Sequence, residues 1–330
     1  MAAELALTVR KEIHNDVLEC EAHQLIQYFH NPVLFDLSNG HPPLFVSVLL
    51  HGNEITGWDV MREYIKNHDM SQPHNSLVLY VGNVDAAAQN QRALDGQQDF
   101  NRIWYGIEKP AQRHAQRVVE IARSLEPRFA LDIHNNTGKN PAYSVLTHRK
   151  RHILHAARLF SDIALFSTVP HPIISRRLNE FCPALTIEVG LPGRKDSFDR
   201  TYTFVKTLLK EDFQNMIHPE DLAMYWTVAR VEVETELHPN FDTFPELNPT
   251  LESMNFNLVP AGTQIATNSR SDWSLRVYDN ALEDVTDKYL VHNGSNVYIQ
   301  NDVVLGMYTQ HKGNAYKDCL CYFLQANPSH

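Results

Sequence analysis

The sequence predicts an α/β domain with a largely parallel or mixed central sheet, followed by a smaller β-rich domain. Three observations carry this. Up to about residue 215, short β-branched apolar runs alternate with longer amphipathic stretches. The runs are apolar at consecutive positions, as in strands buried on both faces. Beyond about Pro219 the texture changes to alternating segments such as 227–236, punctuated by Pro239, Pro245, Pro249, Pro260, Gly262, Gly294, Gly306 and Gly313, the pattern of half-buried strands and turns. The two domains are expected to cover residues 1–218 and 219–330.

Taken in order, 44–50 reads as the first central strand and ends abruptly in His51-Gly52-Asn53-Glu54. A helix is expected over 54–66, where Ile55, Trp58, Met61 and Ile65 share one face. Residues 77–81 form the second strand. A helix over 111–125 follows, with Val118, Ile121, Ala122 and Leu125 on its apolar side. Residues 129–133 and 184–187 supply the third and fourth strands, separated by a helix over 151–160, and a last helix runs over 198–217.

Composition removes several function classes. The chain has 330 residues, 29 Lys and Arg against 39 Asp and Glu, and a formal charge of -10, which argues against a general affinity for nucleic acid or anionic membranes. Four cysteines cannot frame a disulfide-stapled domain, so free thiols in a reducing compartment are expected. The first sixteen residues include Glu4, Arg10, Lys11, Glu12 and Asp16, which interrupt any apolar signal core, and the expected location is cytoplasmic. Apolar runs such as 44–50 are far shorter than the ~20 residues of a membrane helix. The conspicuous figure is 18 histidines.

Two of them stand where chemistry can be built. His51 and Glu54 emerge three residues apart where a strand gives way to a helix, and Gly52 between them permits a tight turn. His-x-x-Glu alone is a weak signal. His134, in Asp132-Ile133-His134-Asn135-Asn136, stands at another strand end, and such ends gather at the ligand crevice of open α/β sheets. Two imidazoles and one carboxylate leave a fourth tetrahedral position open for water, as catalytic rather than structural zinc sites do. Asp132 is expected on the opposite face of that strand, supporting the ligand. Glu188 interrupts the apolar end of the fourth run, where an ionised carboxylate needs a partner; it suits a general base and acid. Asn101-Arg102 offers an amide beside a guanidinium, the group suited to bidentate capture of a carboxylate. Each position has a plainer reading: a core histidine at 134, a salt-bridged structural glutamate at 188, a surface charge at 102. His148, His152 and His155, interleaved with Arg149, Lys150 and Arg151, read as a solvated basic helix face, and His14, His23, His30, His41, His68 and His74 as surface residues.

The order His51-x-x-Glu54, Asn101-Arg102, His134, Glu188-Val189-Gly190 resembles the zinc carboxypeptidase superfamily, and within it the succinylglutamate desuccinylase/aspartoacylase family. His-Gly-Asn-Glu, Asp-x-Asn-Arg, Asp-Ile-His-Asn-Asn-Thr and Ile-Glu-Val-Gly occur here in that family's order, and Asn135-Asn136-Thr137 is closest to aspartoacylase. The resemblance implies a three-layer α/β/α catalytic domain with a mixed sheet, capped by the β-rich domain. It implies one Zn2+ per chain on His51, Glu54 and His134, with Glu188 activating water. Asn101 and Arg102 would bind a substrate carboxylate, and Arg92 would polarise the scissile carbonyl and stabilise the oxyanion. Arg92 stands nine residues before Asn101, two more than is usual in the family, which implies an insertion within 94–98. Arg177, or its neighbour Arg176, corresponds to a second carboxylate-binding arginine. Tyr316, in Ala315-Tyr316, resembles a substrate-contacting tyrosine and is otherwise a packed aromatic.

The expected activity is therefore zinc-dependent hydrolysis of the amide bond of a small anionic N-acyl amino acid. The alternatives are a zinc metallocarboxypeptidase acting on a small peptide or cell-wall peptide, and a binding module without chemistry. No nucleic-acid or membrane partner is expected, and assembly into a homo-oligomer is left open.

Overall fold

The computed structural model describes residues 4–167, 172–216, 221–269 and 272–326. The expected domain boundary at 218/219 lies outside the described residues. The helix expected over 198–217 instead runs over Lys195–Lys210 and stops where Glu211 turns extended (φ -71°, ψ 126°), leaving 211–216 non-helical. Contacts divide the chain into two compact units: Met1–Asn135 with Ala142–Ala164 and Pro170–Leu222, and Asn136–Pro141 with Leu165–Val169 and Ala223–His330.

The first unit holds strands β1 (Thr8–Arg10), β2 (Val33–Leu37), β3 (Leu44–Val48), β4 (Leu77–Val81), β5 (Phe129–His134), β6 (Tyr143–Leu146), the start of β7 (Ile163–Phe166), and β8 (Ala184–Glu188). Its sheet runs β1-β2-β4-β3-β5-β8-β6. The four apolar runs are its centre: β4, β3, β5 and β8 are mutually parallel, while β2 joins β4, and β6 joins β8, antiparallel. Every residue of β3, β4 and β5 is buried, which explains runs that are apolar without alternation.

Helices α1 (Asn15–Glu19), α2 (Thr56–Asn67), α3 (Val84–Ala88), α4 (Pro110–Ser124), α5 (Arg151–Phe160), α6 (Ile174–Leu178) and α7 (Lys195–Lys210) complete this unit. Ala111, Ala115, Val118, Val119 and Ala122 of α4 and Ile174 and Leu178 of α6 pack on Phe45, Val78, Tyr80, Ala130 and Ala184. The period of three to four along α4 is the apolar stripe of a helix lying on a sheet. Helix α2 takes the other face, where the backbone at Gly57 comes close: a Cβ there would lie 2.9 Å from Val48 Cγ1 and 3.2 Å from Ile133 Cβ. That approach brings the start of α2 against the ends of β3 and β5.

One buried histidine escaped the sequence reading. His114 on α4 is 3% exposed, and its Nε2 lies 2.9 Å from the Tyr80 hydroxyl. Burial pushes its pKa down to about 4, from 6.5. Between those values the unfolded chain takes up a proton that the folded protein refuses, so this contribution is complete above about pH 6.5 and is lost as pH falls towards 4. Urea unfolding of the parent and of H114Q at pH 7 and pH 5 should show the parent losing on the order of 1–2 kcal/mol more than the variant on acidification. Equal losses would contradict this account of His114.

His155, expected on a solvated face, is also buried, at 5% exposure. Its ring packs against Phe213, and its Nε2 is 3.4 Å from Glu211; the apolar side of α5 claims it. All four cysteines are free. No helix among the described residues is long and apolar enough to cross a membrane.

In the second unit the twelve-residue β9 (Ala223–Glu234) pairs antiparallel with β13 (Ser274–Asp279) and β17 (Cys321–Ala326), and β17 continues to β16 (Val303–Gly306) and β11 (Leu258–Val259). A separate four-stranded antiparallel sheet comprises β10 (Glu246–Leu247), β12 (Gln264–Thr267), β15 (Asn296–Ile299) and β14 (Leu290–Asn293). Along β9 buried and part-exposed residues alternate, with Ala229, Val231 and Val233 in a core shared with Val277, Leu305 and Phe323.

Candidate metal centre and active site

The chain leaves β3 through Leu49, whose φ of 55° is left-handed and costs a leucine roughly 1–2 kcal/mol. This kink precedes His51 by two residues. Gly52 lies in the expected turn, closed by the Glu54 N–H donating to the His51 carbonyl at 3.1 Å, and it also serves proximity: a Cβ there would lie 2.1 Å from the Ala87 nitrogen and 2.2 Å from the Ala86 carbonyl carbon on α3. Glu54 follows just before α2, which begins at Thr56, two residues later than expected. His134 closes β5 and is the register partner of Glu188 at the end of β8.

These elements bring the three predicted ligands together. His51, Glu54 and His134 are 2%, 4% and 2% exposed, with ligand atoms all within 4.8 Å of one another. The His51 Nδ1 is 2.7 Å from Glu54 Oε1, and the His134 Nδ1 is 2.6 Å from Glu54 Oε2. Behind each ring stands an aspartate: His51 Nε2 is 3.0 Å from Asp99 Oδ1, and His134 Nε2 is 2.9 Å from Asp132 Oδ2. A carboxylate on Nε2 holds the proton there and leaves the Nδ1 lone pair for a cation.

Asp132 lies on the same face of β5 as His134, not the opposite one, because residues two apart in a strand project to one side. Ser47 donates to its Oδ1 at 2.6 Å and Thr186 to its Oδ2 at 3.2 Å. Asn135 donates its backbone N–H to Glu54 Oε2 at 3.2 Å. Its side chain accepts from the Thr56 N–H at 3.1 Å and donates to the Thr56 hydroxyl and the Gly190 carbonyl, which ties the start of α2 to the ends of β5 and β8. The sequence reading missed the supporting roles of Ser47, Asp99, Asn135 and Thr186. A usable signal existed for two of them, since Ser47 and Thr186 are polar residues inside otherwise apolar strands.

The electrostatics suit a divalent cation. Burial opposes the charge of Glu54, yet His51 and His134 hold its carboxyl far below the usual range. Burial likewise opposes an ionised Asp99, and His51, Arg92 and Arg102 outweigh it. Asp132 and Glu54 raise the His134 pKa well above normal against its burial, so the field here stabilises positive charge. Two imidazole nitrogens and a carboxylate at this spacing, with both imidazoles backed by carboxylates, fit zinc with a coordination position to spare. Asp132→Asn is expected to weaken metal binding about 10–100-fold while leaving the far-ultraviolet circular dichroism unchanged. Chelator competition measures this, and parental affinity in the variant would contradict it.

Glu188 is part-exposed. Burial of its carboxyl pushes its pKa up to about 8, with His134 and Arg92 opposing and Glu54 and Asp132 reinforcing the shift. Arg92 donates from Nη2 to Asp99 Oδ2 at 3.0 Å, with Nη1 3.9 Å from Glu54 Oε1. Asn101 donates its backbone N–H to Asp99 Oδ1 at 2.7 Å, and its buried Oδ1 has no partner among the described residues. Arg102 donates to the Asn101 carbonyl at 3.1 Å. Arg177 is engaged elsewhere: it pairs with Glu180, donates to Gln116 at 3.2 Å and lies over the Tyr105 ring. Tyr316, on the short helix Lys312–Lys317 of the second unit, packs edge-on against Trp273 and Phe241.

The mixed α/β sheet and its buried His-Glu-His cluster define a metallohydrolase. The succinylglutamate desuccinylase/aspartoacylase catalytic domain model matches residues 41–211, just over half of the chain, and the protein belongs to this family of zinc deacylases, hydrolases of amide bonds. No curated protein sequence matches the chain. Among solved structures it is similar to the succinylglutamate desuccinylase of Chromobacterium violaceum, with 17% identity over 88% of this chain and 86% of that one and a TM-score of 0.54. Murine aminoacylase 3 shows 15% identity over 86% of this chain and 95% of its own, with a TM-score of 0.54. A succinylglutamate desuccinylase/aspartoacylase from Rhodobacter sphaeroides shows 12% over 89% and 88%, with a TM-score of 0.56. Identities this low speak to the fold alone.

Proposed function

We propose that the protein is a zinc-dependent amidohydrolase that removes the acyl group from an N-acylated amino acid, with a carboxylate on one or both halves of the substrate. The observation that carries this reading is the buried His51-Glu54-His134 cluster, backed by Asp99 and Asp132, with Glu188 in register beside His134. When bound, zinc supplies Lewis acidity to the scissile carbonyl and acidifies a water. The remaining chemistry falls to the chain's own groups. Glu188 accepts the proton released as the water oxygen bonds to the carbonyl carbon, and delivers it to the nitrogen as the C–N bond breaks. Arg92 faces negative charge developing on the carbonyl oxygen. Asn101 and Arg102 hold a substrate carboxylate, and the unpartnered Asn101 Oδ1 leaves an acceptor for a substrate N–H or O–H.

A second carboxylate is assigned to the 176–177 pair. Capture by Arg177 would displace Glu180 from its guanidinium, so Arg176 is the competing choice. For Tyr316 the proposed role is the substrate contact that the family resemblance implies.

Free amine released from N-acetyl and N-succinyl amino acids, measured alongside dipeptides with the purified zinc protein, tests the assignment. Deacylation with a higher kcat/KM than dipeptide cleavage is expected. Preferential cleavage of dipeptides would overturn it in favour of a carboxypeptidase.

A further inference from the structure

Between Arg92 and Asn101 the chain runs through 94–98, where the family resemblance implies an insertion. There Gln97 forms a reciprocal amide pair with Asn83, at the end of β4. Asn83 Nδ2 donates to Gln97 Oε1 at 2.8 Å, and Gln97 Nε2 donates to Asn83 Oδ1 at 3.0 Å. Each oxygen takes a second donor: Gln97 Oε1 accepts the Leu94 N–H at 3.0 Å, and Asn83 Oδ1 accepts the Ala86 N–H at 3.2 Å at the start of α3. Asn83 is 1% exposed.

The contacts close a ring. Asn83 caps α3, and α3 backs Gly52 so closely that no side chain fits there. The Gly52 N–H donates to the Arg92 carbonyl at 3.2 Å, and from Arg92 the chain runs through Leu94 to Gln97, which returns to Asn83. A longer loop has more conformations to lose. Pinning it at Gln97 leaves a short arc on which Arg92 sits, while Asp99 beyond the pin meets the Arg92 guanidinium. The pin is uncharged, so it adds order without altering the field at the His-Glu-His cluster.

We propose that Gln97, through its amide pair with Asn83, is a positioning residue for Arg92 in the hydrolytic step. The inference rests on the reading of Arg92 given above. Because Arg92 is assigned to charge that develops in the transition state, loosening it lowers kcat and leaves KM nearly unchanged.

The test is a double-mutant cycle with Gln97→Ala and Arg92→Lys, read as kcat and KM on the best N-acyl amino acid, with thermal melts on all four proteins to separate folding from turnover. Q97A is expected to lower kcat about tenfold with KM within twofold, and to lower it less than twofold further in the R92K background. Q97A at parental kcat, with R92K impaired, overturns this inference alone. So does the same fold loss in both backgrounds, which marks Gln97 as structural. R92K at parental activity overturns the reading of Arg92, and the inference with it.

Discussion

Glu188→Gln is expected to retain one zinc per chain and to lose two to four orders of magnitude in kcat. Glutamine keeps the shape of the side chain but can neither accept the proton of the attacking water nor return one to the leaving nitrogen, and a positioned acid-base group contributes about 10²–10⁴-fold. Glu188 neighbours His134 in register without belonging to the ligand cluster, so its replacement leaves the three donors in place. Metal analysis and steady-state kinetics on the same preparation separate the two effects. A variant retaining more than a tenth of parental kcat would remove Glu188 from the mechanism, and one that loses its zinc would make it a structural support.

Glu54→Ala is expected to abolish metal binding and, with it, measurable turnover. Glu54 is the group that both Nδ1 atoms face, at 2.7 and 2.6 Å, and it also takes the Asn135 N–H. Without it, two imidazoles remain in a buried site with the cation's compensating charge gone. The readout need not involve activity. A ligand that binds the folded state alone raises its stability with concentration, so micromolar zinc should raise the Tm of metal-stripped parent protein and leave that of E54A unchanged. An E54A melt that still responds to zinc would place the metal elsewhere.

How much of this was legible in the sequence depends on how local each signal was. The four central strands were readable because burial on both faces writes apolar residues at every position, and the observed limits of β4 match the expected ones. Strands β1, β2, β6 and the stretch of β7 were missed: β1, β6 and β7 are only three or four residues long, and Asp36 breaks the apolar run of β2, where it pairs with Lys11. Helix α2 starts at Thr56 rather than 54 because the residues from His51 to Ile55 are spent on presenting ligands and turning the chain. The ligands themselves were readable from their places at strand ends. The supports behind them were not, since Asp99 backs His51 across 48 positions and no local pattern says which carboxylate stands behind which ring. Asp132 shows the complementary failure, where a local rule sufficed: two residues apart on a strand means one face, and His134 and Asp132 meet there at 2.9 Å.

The central claim is that turnover depends on a zinc held by His51, Glu54 and His134. Its most direct test is the metal content of the purified protein, determined together with amide hydrolysis of an N-acyl amino acid before chelation, after it, and after zinc is restored. One zinc per chain is expected, with hydrolysis falling as the metal is removed and returning with it. A protein free of stoichiometric metal, or hydrolysis that survives the metal's removal, would contradict the account.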